Sequence, residues 1–212
     1  MVKIQIEDKF YEIPQGWDKI SLRQSLKIEK IMTENAEKLK DDPTALSFLE
    51  LSILIINILT NIPLDYLNNT PVYDIQEIST YITWVYTPAS KRDIKEVFIN
   101  DKKYITFKLY DITTNDISTI ETINRTISDI YVKSPLILAV LLRPDFNGSI
   151  EPIVNTEDIK QRAEIFLDGL NGDDASNIIT NFFTGADLSS LSNMLDSSHL
   201  EKRISRLRIL SS

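Results

Sequence analysis

Residues 2–13 read VKIQIEDKFYEI, and residues 97–107 read VFINDKKYITF. In each stretch apolar residues run into an acidic or amide pair, then Lys, one further residue, Tyr, and alternation again. Alternation puts Val2, Ile4 and Ile6 on one face of a strand, because successive strand side chains point to opposite sides. Glu7-Asp8 and Asn100-Asp101 are turn residues that tolerate left-handed backbone angles. Each stretch therefore predicts a β-hairpin, with return strands Phe10 to Ile13 and Tyr104 to Leu109. Asp8-Lys9 aligns with Asp101-Lys102, and Tyr11 with Tyr104, at one constant offset.

Each hairpin leads into a helix. Trp17-Asp18 aligns with Tyr110-Asp111 at the same offset, and the next cap is shifted by one residue. Ser21 with Gln24 makes a capping box, the hydroxyl accepting from an early helical N–H while Gln24 reaches back. Thr113 caps the second helix, with Asp116 in a first turn that favours negative charge. Residues 51–63 (LSILIINILTNIP) and 135–144 (PLILAVLLRP) are apolar helical runs that each close on a proline. A turn-rich loop comes after each, and then Asp74-Ile75-Gln76 or Asp158-Ile159-Lys160 opens another helix. The reading is two copies of hairpin, helix, core helix, proline loop and helix; chance similarity between isoleucine-rich segments is the alternative. The expected fold class is α+β, predominantly α-helical, with two small β-hairpins packed on helices and an internal pseudo-duplication.

The expected elements are hairpins at 2–13 and 96–109, and helices at 21–39, 44–61, 73–86, 114–131 and 134–142. A loop at 143–155 separates these from helices at 156–170, 174–184, 187–196 and 198–210. Pro88 and Ser90-Lys91-Arg92-Asp93 mark a boundary between halves 1–90 and 91–212. The aspartates after Gly172 and Gly185-Ala186 are expected as N-caps.

A chain of 212 residues can bury a real core. Its formal net charge of -8 opposes a general nucleic-acid binder, which needs a cationic footprint, and opposes docking on an anionic membrane. The absence of cysteine excludes disulfides, thiolate catalysis and zinc–thiolate sites, and fits a reducing compartment. The polar, alternating start is no secretory signal. Residues 45–62 approach the length of a membrane span, but Glu50 sits inside the run, where a charge costs about 3 kcal/mol on insertion scales. A core helix of a soluble bundle, with no membrane span, is the expectation.

No catalytic, cofactor-binding or metal-binding residue is expected. His199 is the single histidine, and a triad or histidine metal cluster needs more partners. The acidic pairs Asp41/Asp42, Glu157/Asp158 and Asp173/Asp174 fall at predicted helix starts, where carboxylates serve as caps. The segment 168–174 lacks the order of a calcium loop, and no glycine-rich phosphate loop exists. Trp17, Trp84 and Tyr86 are read as pins in a core, with a ligand-stacking surface as the alternative. Phe182-Phe183 is read as a terminal-helix anchor that, if exposed, is a partner contact. The end of the chain, HLEKRISRLRILSS at 199–212, places Lys202, Arg203, Arg206 and Arg208 among apolar residues at helical spacing. Those cations either complement a helix C-terminus or contact an acidic partner or DNA.

The segment YEIPQGWDKISLRQSLKI at 11–28 resembles small proteins from the structural-gene modules of tailed bacteriophages, including crAss-like phages of gut Bacteroidales. Further points of resemblance are Asn100 to Tyr104, Arg143-Pro144, Arg162-x-Glu164-x-Phe166 and Phe182-Phe183-x-Gly185. The resemblance implies a non-enzymatic virion or virion-assembly protein, structural, neck or tail, or internally packaged. It would act in the virion or the host cytoplasm through other phage structural proteins or self-association. A tail assembly chaperone absent from the mature particle, or a small phage regulator binding a host protein, are the alternatives.

Overall fold

A computed structural model describes residues 1–6, 8–38, 46–107, 112–146, 149–150 and 155–185. The chain is α+β and mainly helical. The first hairpin pairs β1 (Val2–Ile6) with β2 (Lys9–Ile13), and the second pairs β3 (Glu96–Ile99) with β4 (Lys102–Thr106). Their registers match rung for rung. Ile6 faces Lys9 as Ile99 faces Lys102, and Ile4 faces Tyr11 as Val97 faces Tyr104. The second turn has Asn100 at φ 51° and Asp101 at φ 60°, the two left-handed residues of a tight hairpin connection.

The helices are α1 (Leu22–Lys38), α2 (Phe48–Thr60), α3 (Leu64–Asn69), α4 (Val72–Thr80), α5 (Thr114–Thr126), α6 (Ile130–Leu141), α7 (Thr156–Gly169) and α8 (Gly172–Gly185). Local chemistry sets their starts. Ser21 and Gln24 form the expected reciprocal bonds at α1, and Thr113 with Asp116 does so at α5. Ser47 with Glu50 repeats the device at α2. Glu50 is therefore no stray charge in an apolar run; it is the third residue of the helix, reaching back to the cap. Asn155 with Asp158 does the same at α7. At α8 the cap is Asn171, whose Oδ1 accepts from the Asp174 N–H at 2.8 Å, rather than an aspartate as the sequence suggested.

Three further expectations change. The predicted loop at 143–155 contains β5 (Leu142–Phe146), which pairs antiparallel with β4 and carries the short β6 (Ser149–Ile150). The second hairpin is thus part of a sheet ordered β3-β4-β5-β6, whereas β1-β2 stays two-stranded. The predicted helix at 114–131 ends at Thr126, and Asp129 caps a new helix that carries Pro135 inside it. The predicted helix at 73–86 is a helix ending at Thr80 followed by a 3₁₀ turn at Thr83–Tyr86, with the separate α3 ahead of it. The helices predicted at 187–196 and 198–210, with Asp41/Asp42 and Tyr110-Asp111, lie outside the described residues.

The buried apolar residues form two clusters. The first gathers Ile6, Ile13, Ile28, Ile55, Ile56, Ile62 and Leu67 with the inner face of α4. The second gathers Tyr104, Leu138, Leu141, Leu142 and Phe166 with α5, α7 and α8. Helix α1 belongs to both. At about 100° per residue, Leu22 and Leu26 share one stripe while Ile28, Ile31 and Met32 lie on the opposite side. The first stripe packs in the second cluster, and the other in the first. Backbone bonds from Leu22 N–H to Leu170 O (2.7 Å) and from Gly172 N–H to Ile20 O (3.1 Å) tie the start of α1 to the α7–α8 turn.

Candidate interaction surface

The acidic pairs within the described residues are engaged structurally. Asp158 closes the α7 cap. Asp173 is buried and receives Arg92, which also reaches Asp174 at 3.0 Å. Asp168, within the segment tested for calcium, takes the Arg23 guanidinium on both oxygens, at 2.7 and 3.1 Å, and that contact holds its carboxyl below the usual range. Among the described residues no cluster of His, Asp and Glu is arranged to hold a metal ion. Asp116 and Arg143 form a buried ion pair, and the Arg143 guanidinium lies 4.7 Å from the Phe107 ring centre.

The tryptophans act as clamps. Their rings meet edge to face at 5.2 Å. The Trp17 Nε1–H donates to Thr87 O at 2.8 Å, and the Trp84 Nε1–H to Pro14 O at 3.0 Å. Each indole thereby ties down a chain segment some seventy residues away. A cavity of about 300 Å³ opens beside them, lined by Gly16, Asp18, Pro88, Ser90, Arg92 and Asp173 among others. Both indole donors and the Arg92 head are already occupied by the protein. The segment read as a boundary is also fastened, with Arg92 N–H donating to Asn177 and Asn181 donating to Arg92 O.

Phe182 is buried, and Phe183 packs partly buried against the second cluster with its ring 5.2 Å from Phe182. The pair is placed near the end of α8, with Phe182 turned into the second cluster and Phe183 left half-buried. His199, Lys202, Arg203, Arg206 and Arg208 lie outside the described residues. Among the described residues no helix is long and apolar enough to cross a membrane.

What sequence reasoning missed is the outward face of the hairpins. Phe10 is 72% exposed and Phe98 66% exposed. Phe10 faces Gln5 and Phe98 faces Lys103, one rung out from the turn-closing pair in each hairpin. Two matching hairpins thus present a bare phenyl ring on the same rung, from opposite strands. The period-two pattern pointed to it, since Phe10 and Phe98 fall out of phase with the buried Ile13, Val97 and Ile99. Around Phe98, Lys103 pairs with Glu96 at 2.7 Å, which raises the lysine's affinity for its proton. These two rings are the candidate contact elements of the hairpins. The edges of β1, β2 and β3 carry no further strand among the described residues. Neither a family model, nor a curated protein, nor a solved structure matches the chain.

Proposed function

We propose that the chain is a non-enzymatic component of a tailed-phage particle or of its assembly line, working through protein–protein contacts made by its hairpins. The observation that carries this reading is the pair of exposed rings, Phe10 and Phe98, on equivalent rungs next to strand edges that no further strand extends among the described residues. Edge strands accept a partner strand through main-chain bonds, and a neighbouring aromatic side chain gives such a contact specificity. The resemblance of residues 11–28 and 182–185 to tailed-phage structural-module proteins suggests the biological setting. The use of the acidic residues for caps and ion pairs supports contact rather than chemistry as the mode of action.

The test is quantitative mass spectrometry of purified particles, comparing the wild-type chain with Phe10→Ser/Phe98→Ser. Wild type is expected at a fixed copy number, and the variant at one-fifth of it or less. Equal incorporation of both would refute the hairpin contact. Absence of the wild type from particles, with a tail protein bound to it in infected cells, is the chaperone alternative. Binding to a host enzyme alone overturns the virion reading. Deleting residues 1–13 is a poorer probe, because it also removes the buried Ile6 and Ile13 from the first cluster.

A further inference from the structure

Residues 41–90 contain six acidic residues and no lysine or arginine. This stretch builds α2, α3, α4 and the 3₁₀ turn at Thr83–Tyr86. Six of its large apolar side chains are exposed: Phe48, Leu64, Tyr66, Val72, Tyr73 and Tyr86. Phe48 and Tyr86 are 63% and 44% exposed, and their rings stack at 6.3 Å although 38 residues separate them. Glu50, Asp65, Asp74 and Glu77 on these helices are also exposed. The Ser47 N–H holds the Glu50 carboxyl below the usual range, so it stays anionic. Helices that carry exposed aromatic and acidic side chains and no lysine or arginine of their own fit a segment that brings apolar residues and positive charge together.

The chain contains such a segment. Residues 199–212 carry Lys202, Arg203, Arg206 and Arg208, with Leu200, Ile204 and Leu207 at helical spacing. Reach permits contact within one molecule. Asp173, at the start of α8, lines the same cavity as Trp84, two residues from Tyr86. Helix α8 ends at Gly185, about 20 Å further on at 1.5 Å per residue. Residues 186–198, extended at roughly 3.5 Å each, span about 45 Å, which exceeds that return distance. We propose that residues 199–212 dock in cis on α2–α4, with the exposed Phe48–Tyr86 stack as the apolar seat and the exposed carboxylates of these helices meeting the cations. The charge pattern is the reason for choosing this occupant, and the inference does not depend on the phage reading.

Trypsin provides the test, because it cleaves after Lys202, Arg203, Arg206 and Arg208 and has no site within 41–90. The intact chain and a free peptide of residues 197–212 are digested in one tube at low ionic strength. Cleavage at 202–208 in the chain is expected to run tenfold slower than in the peptide, equally at 1 and 50 µM chain. The difference should shrink severalfold in 0.5 M NaCl, as screening shortens the reach of the charges. Phe48→Ser/Tyr86→Ser should release the segment. So should Arg206→Glu/Arg208→Glu, which leaves the described fold untouched and is read at Lys202 and Arg203. Rates within twofold of the peptide would overturn the proposal, as would protection that survives both variants. Protection seen only at 50 µM would assign the contact to a second copy and overturn docking in cis.

Discussion

Replacing Asp116 by Ala tests the energetics of the second cluster most severely. Its carboxylate accepts from the Thr113 N–H at 3.0 Å and the Thr113 hydroxyl at 2.7 Å, and it receives the Arg143 guanidinium. Both members of the ion pair are buried. Removing one partner strands the other charge away from water, at a cost of about 3–5 kcal/mol. Removing only the cap, by Thr113→Ala, should cost about 1 kcal/mol. For a chain of this size, Asp116→Ala should then lower Tm by roughly 6–20 °C. The double variant Asp116→Ala/Arg143→Met should recover much of the loss, since apolar replacement of a buried pair is often neutral. Urea unfolding followed by circular dichroism measures these differences. Tryptophan fluorescence adds a second readout, because Trp17 and Trp84 both pack against the first cluster, away from the substitution. Helix α1 lines both clusters, so the fluorescence midpoint should move together with the dichroism midpoint. An Asp116→Ala loss no larger than that of Thr113→Ala would refute the buried-pair argument. A fluorescence midpoint that stays fixed while dichroism shifts would refute coupling through α1.

Gly172→Ala should destabilise by about 1–3 kcal/mol in the same urea assay, because the new methyl would lie 2.8 Å from the Ser25 Cβ where α8 meets α1. Ser47→Ala should cost about 1 kcal/mol by breaking the α2 capping box, while Thr60→Ser, which keeps the hydroxyl bonded to Ile56 O, should be near neutral. Asp168→Asn should lower Tm at pH 7, and the difference should shrink as the pH is taken below the ordinary aspartate range. Arg23 depresses the folded pKa of Asp168, so its contribution exists above the ordinary aspartate value of about 3.9 and fades as pH falls through the lower folded value.

The parts of the fold legible in the sequence are those decided locally. Both hairpin pairings, the turn at Asn100-Asp101, the caps at Ser21 and Thr113, and the apolar cores of α2 and α6 come from residues within a few positions of each other. The strand at Leu142–Phe146 was not legible. It continues directly from an apolar helix, and Pro144 argues against a paired strand unless the missing N–H falls where the ladder does not need it. The break before Asp129 was hidden for a related reason, since Thr and Ile around it suit a helix or a strand. The partners of the ion pairs were out of reach as well. Arg23 and Asp168 are 145 residues apart, and Arg92 and Asp173 are 81 apart, so only tertiary packing joins them. For the surface, the alternation that puts Ile4 and Ile6 on one face would also have put Phe10 and Phe98 on the other, had it been followed through the return strand of the first hairpin and the outer strand of the second. Adjacent phenylalanines at 182 and 183 are the more conspicuous pair in the sequence, yet they pack inward, and the isolated rings of the hairpins are the ones left in water.

The two hairpins share a register, but the chain leaves the apolar helix of each half differently, and that difference bears on where a partner adds. After α2 the chain turns sharply. Asn61 takes a left-handed conformation at φ 58°, the Asn57 side chain donates to Ile62 O, and Pro63 starts α3. After α6 the chain instead stays extended, with Leu142 at φ −107° and ψ 118°, and runs on as β5 beside β4. The second half thereby supplies its own strand to the edge of its hairpin. In the first half the matching edge of β2 receives no strand among the described residues, because left-handed Asn61 and Pro63 send the chain into a helix. If the halves share an ancestry, β2 has the geometry that β4 uses to bind β5 and, among the described residues, no intramolecular strand beside it. A partner strand meeting β2 would occupy the position that β5 holds in the other half, with Phe10 beside it on the exposed face.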